Sequence, residues 1–108
     1  MNIFHKDLVS RWNSLSSVEQ MANIGAEVGR AIIWRKKDKK YSLMAFYRAL
    51  ELLDFTMNDP KNRESLREIT RLRELIVDYF AGDNIYNSSD EQWERYFYPF
   101  NLAVRRGR

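Results

Sequence analysis

Five basic side chains occupy six consecutive positions of this chain, and two aromatic residues bracket them. The segment reads "WRKKDKKY", residues 34–41, and its cations are Arg35, Lys36, Lys37, Lys39 and Lys40. Clustered Lys and Arg side chains release counterions from a nucleic acid backbone, and a flanking Trp or Tyr ring can stack on a base. These residue types favour contact with an anionic partner, either a nucleic acid or an acidic protein surface.

The same segment has a second interpretation that needs no ligand. The hydrophobic pattern predicts that one helix ends here and another begins, and cations at a helix C-terminus interact favourably with the negative end of its dipole. Lysines also keep a turn solvated, so both interpretations stay open. A second basic run, "RRGR", contains Arg105, Arg106 and Arg108, and it supports anion contact only if the fold places it beside residues 35–40.

The net charge of +3 is unevenly distributed along the 108 residues. Residues 35–40 carry a local charge of +4 and residues 105–108 carry +3, which leaves ten basic and fourteen acidic residues for the rest of the chain. The remainder is therefore mildly acidic. Such asymmetry is typical of a protein that meets an anionic partner through short segments.

Catalytic and metal chemistry find little support in the residue types. The chain has no cysteine and a single histidine, His5, which excludes disulfides, thiolate metal sites and a cysteine nucleophile. No serine stands in a recognisable arrangement with a histidine base, and no glycine-rich phosphate loop is present. We predict no catalytic residue, no metal site and no cofactor, and a protein that is not an enzyme.

The composition predicts a folded domain away from membranes. Hydrophobic residues are 44% of the chain and aromatic residues 14%, which is enough for a core and argues against disorder. No apolar run is long enough to cross a bilayer, and the N-terminal stretch is too interrupted by charge for a signal peptide. With no cysteine present, we expect one cytoplasmic domain over residues 1–108, in which residues 105–108 form a frayed tail.

Hydrophobic periodicity predicts an all-α fold, an antiparallel bundle of about five helices without strands. The expected helices span residues 2–13, 17–37, 41–58, 60–80 and 90–104. Capping boxes mark two of the starts: Ser16 with Glu19 for the second helix, and Ser89 with Gln92, or alternatively Ser88 with Glu91, for the fifth.

Glycine and proline add local expectations to this pattern. Asp59 is expected to cap the fourth helix, with Pro60 at its first position. Gly82 is expected to end that helix in the left-handed conformation, and Pro99 to kink or break the fifth. Gly25 and Gly29 inside the second helix predict the close approach of another backbone.

The third predicted helix is apolar over most of its circumference. Its most apolar face is formed by Leu43, Phe46, Ala49, Leu50, Leu53 and Met57, and the rest of its circumference includes Met44, Tyr47, Leu52 and Phe55. A helix of this kind is packed by several neighbours or lies in a dimer interface. Because a chain of this size buries only a modest fraction of its surface, we predict a homodimer. The candidate interface residues are Phe55 and, on the fifth helix, Tyr98 and Leu102.

Arg73 falls on the inward side of the fourth predicted helix. An inward guanidinium needs a carboxylate or several carbonyl groups as partners. Glu51 and Asp54 of the third helix, or Glu27 of the second, are the candidates. We interpret this arrangement as a buried ion pair, and the alternative is an anion pocket inside the bundle.

Residues 19–84 together with "WERYFYPFNLAVR", residues 93–105, resemble a small prokaryotic family of all-helical proteins, and the resemblance extends from about residue 12 to 105. It implies a helical fold and no catalytic assignment. At fold level the pattern is similar to HEPN helical bundles, many of which pair with a small nucleotidyltransferase or act as ribonucleases. The ribonuclease members carry an arginine followed closely by a histidine. Here "ELIVDYF" follows Arg71 and Arg73 with no histidine downstream, so the resemblance implies a non-catalytic partner role.

These observations predict a non-enzymatic, helical protein-interaction module that self-associates. Binding of a further protein partner is compatible with this prediction. The alternative is a nucleic-acid-binding protein that uses residues 35–40 and the basic tail. The two differ in their response to salt, since apolar self-association changes little with ionic strength and nucleic acid binding weakens steeply. A charge at Phe55 or Leu102 is expected to abolish the dimer.

Overall fold

The computed structural model describes the backbone of residues 3–107 and the side chains of residues 7–107, so Phe4, His5 and the predicted contact residue Arg108 lie outside the described side chains. Within this range the chain is all-α, as predicted, with no strand. The helices are α1 (Ile3–Asn13), α2 (Ser17–Trp34), α3 (Lys39–Asn58), α4 (Leu66–Ala81) and α5 (Asp90–Arg106), with a 3₁₀ helix at Pro60–Ser65.

α2 and α3 pack against each other as an antiparallel pair along most of their lengths. Near the connecting turn, the Ser42 hydroxyl donates a hydrogen bond to the Ala31 carbonyl at 2.6 Å. At the far end, the Gln20 side chain donates to the Asp59 carboxylate at 2.8 Å, just beyond the end of α3. One side of α3 is thus packed against α2.

α5 packs on another side of α2, and Gly25 makes the contact close. A Cβ atom added to Gly25 would lie 2.7 Å from Cγ of Phe97, which is closer than real Cβ contacts. A neighbouring group does approach this glycine closely, but the prediction of a second backbone is wrong, because the group is the aromatic ring of Phe97. At Gly29 the expectation is wrong, because nothing lies within 4 Å of an added Cβ atom.

The buried core draws side chains from each of the helices α1 to α5. It consists of Trp12, Met21, Ile24, Val28, Ala31, Ala45, Phe46, Ala49, Leu53, Ile69, Leu72, Ile76, Trp93 and Phe97. α3 contributes two alanines to it, and small side chains let the axes of α2 and α3 approach closely. The core thereby decides which side of α3 is left facing outward.

A buried polar network joins α1, α2 and the turn after α3. The Gln20 amide is fully buried, donates to the Trp12 carbonyl at 3.0 Å and to the Asp59 carboxylate, and accepts from the Asn62 amide at 2.8 Å. Burial alone would raise the pKa of the Asp59 carboxyl, but hydrogen bonds from Lys61 and Gln20 lower it below its ordinary value. These polar groups form hydrogen bonds with one another, so the role of the network is structural.

The turn between α2 and α3 comprises residues 35–38, which is four residues where the sequence predicted three, residues 38–40. α2 ends at Trp34, and α3 begins at Lys39 because Asp38 caps it: the Asp38 carboxylate accepts from the backbone N–H groups of Lys40 and Tyr41 at 3.1 and 3.2 Å. The predicted boundaries at 37 and 41 are wrong. The acidic residue inside the basic segment therefore has a structural role as an N-cap.

For the start of the fourth predicted helix, the predicted cap is confirmed but the predicted helix type is wrong. The Asp59 side chain accepts from the Lys61 backbone N–H, and Pro60 occupies the first helical position, as expected. The first six residues nevertheless form a 3₁₀ helix, and α4 begins at Leu66. The buried Asn62 side chain holds this turn by donating to the Thr56 carbonyl at 3.0 Å.

Gly82 ends α4, but not in the left-handed conformation that was predicted. Its φ of −104° and ψ of −156° are extended, and positive φ values occur instead at Asn84 and Asn87. A Cβ atom at position 82 would lie 3.1 Å from the Cα and carbonyl oxygen of Asp78. Lack of space, and not backbone conformation, favours glycine there.

α5 is continuous through Pro99, so the helix is not broken there, while the alternative of a kink stays a prediction. The helix also extends past Val104, and the Gly107 backbone N–H donates to the Ala103 carbonyl at 3.0 Å. Arg105 and Arg106 therefore lie in the last turn of α5. The capping box of Ser89 with its third helical residue forms as predicted.

Candidate functional site

Large apolar side chains lie uncovered on the outer side of α3. The exposed fraction is 52% for Tyr41, 45% for Leu43, 62% for Met44 and 58% for Tyr47. We call these four residues the α3 outer surface. They occupy the first half of the helix, directly after the basic turn, so apolar and cationic groups adjoin.

The buried face of α3 is narrower than the sequence predicts. Its buried residues are Ser42, Ala45, Phe46, Ala49, Leu53 and Thr56, which form one stripe against α2 and the core. At 100° per residue, Leu43 points roughly 100° away from the centre of that stripe. Leu43 is therefore not part of the buried stripe, although the sequence pattern placed it on the most apolar face of the helix. The sequence contains a signal for this outcome, because the two alanines mark the side of closest helix packing.

Four lysines of the basic segment, residues 35–40, point to solvent. Lys36 and Lys37 lie in the turn, Lys39 and Lys40 lie in the first turn of α3, and none of the four forms an ion pair within the part of the chain that the structure describes. The two aromatic residues that bracket the segment pack on each other, with ring centroids 5.0 Å apart. The Lys37 ammonium lies 5.7 Å from the centroid of the Trp ring.

Arg35 differs from the four lysines because it is taken up by internal contacts. Its guanidinium pairs with the Asp90 carboxylate, contacts the Tyr79 hydroxyl, and lies 5.0 and 5.4 Å from the ring centroids of Tyr79 and Phe80. Burial alone would lower the pKa of Arg35, but its hydrogen bonds to Tyr79 and Asp90 raise it. Arg35 thus fastens the end of α2 to α4 and to the start of α5. Because this guanidinium is already paired, the structure gives no support to the predicted role of Arg35 in contact with an anion.

The basic C-terminus and the basic segment lie at opposite ends of α2. The last turn of α5 shares a surface depression with Ser16 and Val18 at the start of α2. The basic segment follows the end of α2, and an 18-residue helix is about 27 Å long. Arg105 and Arg106 therefore do not extend the surface formed by the lysines.

Arg73 pairs with one of its predicted partners. Its Nε donates to the Asp54 carboxylate at 2.8 Å, but 34% of the Arg73 side chain and 48% of the Asp54 side chain are exposed. The pair is therefore not buried as predicted, because it lies at the rim between α3 and α4. Glu51 remains exposed on α3, and Glu27 pairs with Arg30 at 3.1 Å.

The three predicted interface residues do not form one surface. Phe55 is half-buried and packs against the core, and Leu102 is half-buried on α5. Tyr98 is 55% exposed, on α5 as well. The larger uncovered apolar surface lies instead on the first half of α3, about two to four turns before Phe55.

Other concave surfaces offer less chemistry. The most apolar is a depression of about 140 Å³ whose lining includes Met21, Ile69, Tyr96 and Phe100. Burial and the nearby Glu68 carboxylate raise the pKa of the Tyr96 hydroxyl. Among the described residues, no group of His, Asp and Glu side chains could hold a metal ion, and no helix is both long and apolar enough to cross a membrane.

Comparison of the chain with protein-family models, with curated proteins and with solved structures finds no match. The resemblance to HEPN bundles stays a prediction. On α4, the Arg71 guanidinium lies 5.7 Å from the Tyr86 ring centroid, and Arg73 is paired with Asp54. The exposed apolar surface of α3 is therefore the candidate functional site.

Proposed function

We propose that the protein is a non-enzymatic helical interaction module that self-associates through the α3 outer surface. The observation that carries the proposal is the exposure of Leu43, Met44 and Tyr47, between 45% and 62%, on consecutive turns of one helix. Single exposed apolar residues are ordinary, whereas a contiguous group is typical of an interaction site.

A second copy of the chain is a suitable partner for such a surface. In a two-fold symmetric dimer, each copy presents the same residues, so the apolar side chains of one cover those of the other. Full burial of a side chain such as Met contributes about 1.5–3 kcal/mol relative to its exposed state. A few such residues are enough to drive weak association.

Replacing Met44 with Glu tests this proposal. We expect Met44→Glu to be monomeric where the wild-type chain is dimeric, because the charge would be buried without a partner. Sedimentation velocity over a range of protein concentrations measures the change. Ile85→Glu is the matched control, since Ile85 is 70% exposed but lies in the loop between α4 and α5.

Two results would contradict the proposal. One is a wild-type chain that stays monomeric at every concentration, and the other is an equal loss of the dimer in both variants. Repeating the measurement at high salt adds a check, since an apolar contact should persist there. Circular dichroism confirms that each variant is folded.

The four unpaired lysines favour nucleic acid binding as a second candidate function. Lys36, Lys37, Lys39 and Lys40 adjoin a pair of aromatic rings of which Tyr41 is 52% exposed. Cations beside an accessible ring are typical of surfaces that bind single-stranded nucleic acid. In this candidate Arg35 has no part, because it is paired with Asp90.

A charge reversal in the turn tests the second candidate. The double variant Lys36→Glu/Lys39→Glu should abolish binding of a labelled single-stranded RNA in fluorescence anisotropy, while the wild-type affinity falls steeply with added salt. Arg105→Glu/Arg106→Glu makes the same change in net charge at the far end of α2 and serves as the control. Equal weakening by both double variants would show that only the net charge matters.

A further inference from the structure

Four exposed side chains form a single row along the outside of α3: Lys40, Met44, Tyr47 and Glu51. Their spacing of four, three and four residues is the spacing of the a and d positions through which one helix packs along another. The row has a cation at one end, an anion at the other and two large apolar side chains between them. Opposite charges at the two ends give the row a direction.

This row is complementary to itself when a second copy runs antiparallel. A two-fold axis between positions 45 and 46 places Met44 opposite Tyr47 of the second copy, and the same axis places Lys40 opposite Glu51. Each kind of contact then occurs twice. A parallel arrangement would place Lys40 opposite itself and Glu51 opposite itself, and like charges in one layer are repulsive.

Both charged side chains are available for this contact. Lys40 and Glu51 are exposed, and neither forms an ion pair among the residues that the structure describes. The neighbouring carboxylate Asp54 is different, because it is paired with Arg73. Both ends of the row can therefore pair with a charge of the opposite sign on a second copy.

We infer that two copies associate through an antiparallel pair of α3 helices, in which Met44 contacts Tyr47 and Lys40 pairs with Glu51 of the other copy. This inference rests on the proposed self-association and specifies its geometry. A contact made by one helix of each copy lies at the small end of the range of protein interfaces. The dimer should therefore dissociate on dilution.

Charge reversals at the two ends of the row test the pairing. Lys40→Glu and Glu51→Lys should each raise the dissociation constant about tenfold, because each converts two attractive pairs into two repulsive ones. The double variant Lys40→Glu/Glu51→Lys should restore the wild-type value. Sedimentation equilibrium measures all four proteins, and both positions are exposed, so the variants should remain folded.

The outcomes separate this inference from the proposal on which it rests. Restoration in the double variant supports the antiparallel pairing. A dimer that persists unchanged in every variant overturns the pairing, and Met44→Glu then decides whether the α3 outer surface still forms the contact. A double variant that is as weak as the single variants also overturns the pairing, and a monomeric wild-type chain overturns both statements.

Cysteine chemistry provides an independent readout of the register, because the natural chain has no cysteine. Met44→Cys and Tyr47→Cys proteins are mixed and treated with a short bismaleimide. Antiparallel pairing predicts that the mixed product exceeds either product of one variant with itself. A dominant product that links position 44 to position 44 would indicate parallel helices and overturn the inference.

Discussion

The two glycines of α2 lie one turn apart in opposite environments. Gly25 meets the buried ring of Phe97 so closely that a methyl group has no room, while Gly29 faces open space. Alanine is preferred over glycine in a helix by about 1 kcal/mol. At Gly29 this preference is unopposed, and at Gly25 it competes with a collision in the core.

We therefore expect Gly25→Ala to lower the free energy of unfolding by about 1–3 kcal/mol, the typical cost of overpacking a core. Gly29→Ala should raise it by about 0.5–1 kcal/mol. Urea denaturation followed by circular dichroism measures both changes, and each variant is the control for the other. Equal effects at the two positions would contradict the packing of α5 on α2.

Asp59 should make the stability of the fold dependent on acid. Its folded-state pKa lies below its ordinary value, so its contribution is present above the unfolded carboxyl pKa of about 3.9 and is lost as the pH falls through the lower folded value. The gap in free energy of unfolding between wild type and Asp59→Asn should be largest near neutral pH and shrink below about pH 4. Urea denaturation across that range measures it, with Asp83→Asn in the exposed loop as the control.

A gap in the free energy of unfolding that stays constant with pH would show that the Asp59 hydrogen bonds act without the charge.

The caps at Ser16, Ser89 and Asp59 could be predicted from the sequence because their partners lie within three residues. The ion pair between Arg35 and Asp90 could not be predicted, since 55 positions separate the two residues and no local pattern joins them.

At the scale of the helix, tertiary packing in α5 overrides the tendency of proline to break a helix. Pro99 lacks an N–H group, so the Arg95 carbonyl loses its helical donor, yet the helix is continuous. Trp93 and Phe97 are buried on one side of Pro99, and Phe100 packs on the core at the other. Their burial keeps both halves of the helix in register.

Replacing the exposed Pro99 with Ala should therefore raise the free energy of unfolding, by up to about 3 kcal/mol, because it restores the missing hydrogen bond. The midpoint of thermal unfolding measures the gain. Asn101→Ala, on the same helix, is a control for a change in helix propensity alone. Loss of stability on replacing Pro99 would show that the packing of α5 needs the distortion that proline causes.

The arrangement of helices was predictable in outline because their hydrophobic periods are local, but the side that each helix buries depends on its neighbours. On α3 the pattern was apolar on nearly every side, so it could not identify Met44 and Tyr47 as the uncovered residues. The alanines at 45 and 49 decide the matter only once α2 is placed against them. The candidate site was thus present in the sequence without a signal strong enough to select it.

At the scale of the whole molecule, self-association should be visible in stability. A partner that binds only the folded chain stabilises it by mass action, so the unfolding temperature should rise with protein concentration. Differential scanning calorimetry at several concentrations measures this rise. Met44→Glu should remove the concentration dependence, and Ile85→Glu should keep it, whereas a wild-type unfolding temperature independent of concentration would argue for a monomer.

The packing of α5 on α2 also has a consequence for how the chain folds. A short turn closes the α2–α3 pair, whereas Phe97 lies 72 positions after Gly25, so their contact requires a far larger loop to close. Because closing the larger loop costs more conformational entropy, we expect the α2–α5 contact to form after the rate-limiting step of folding. A mutation at the α2–α5 contact should then act mainly on the lifetime of the native state: Gly25→Ala should accelerate unfolding and leave the rate of folding nearly unchanged.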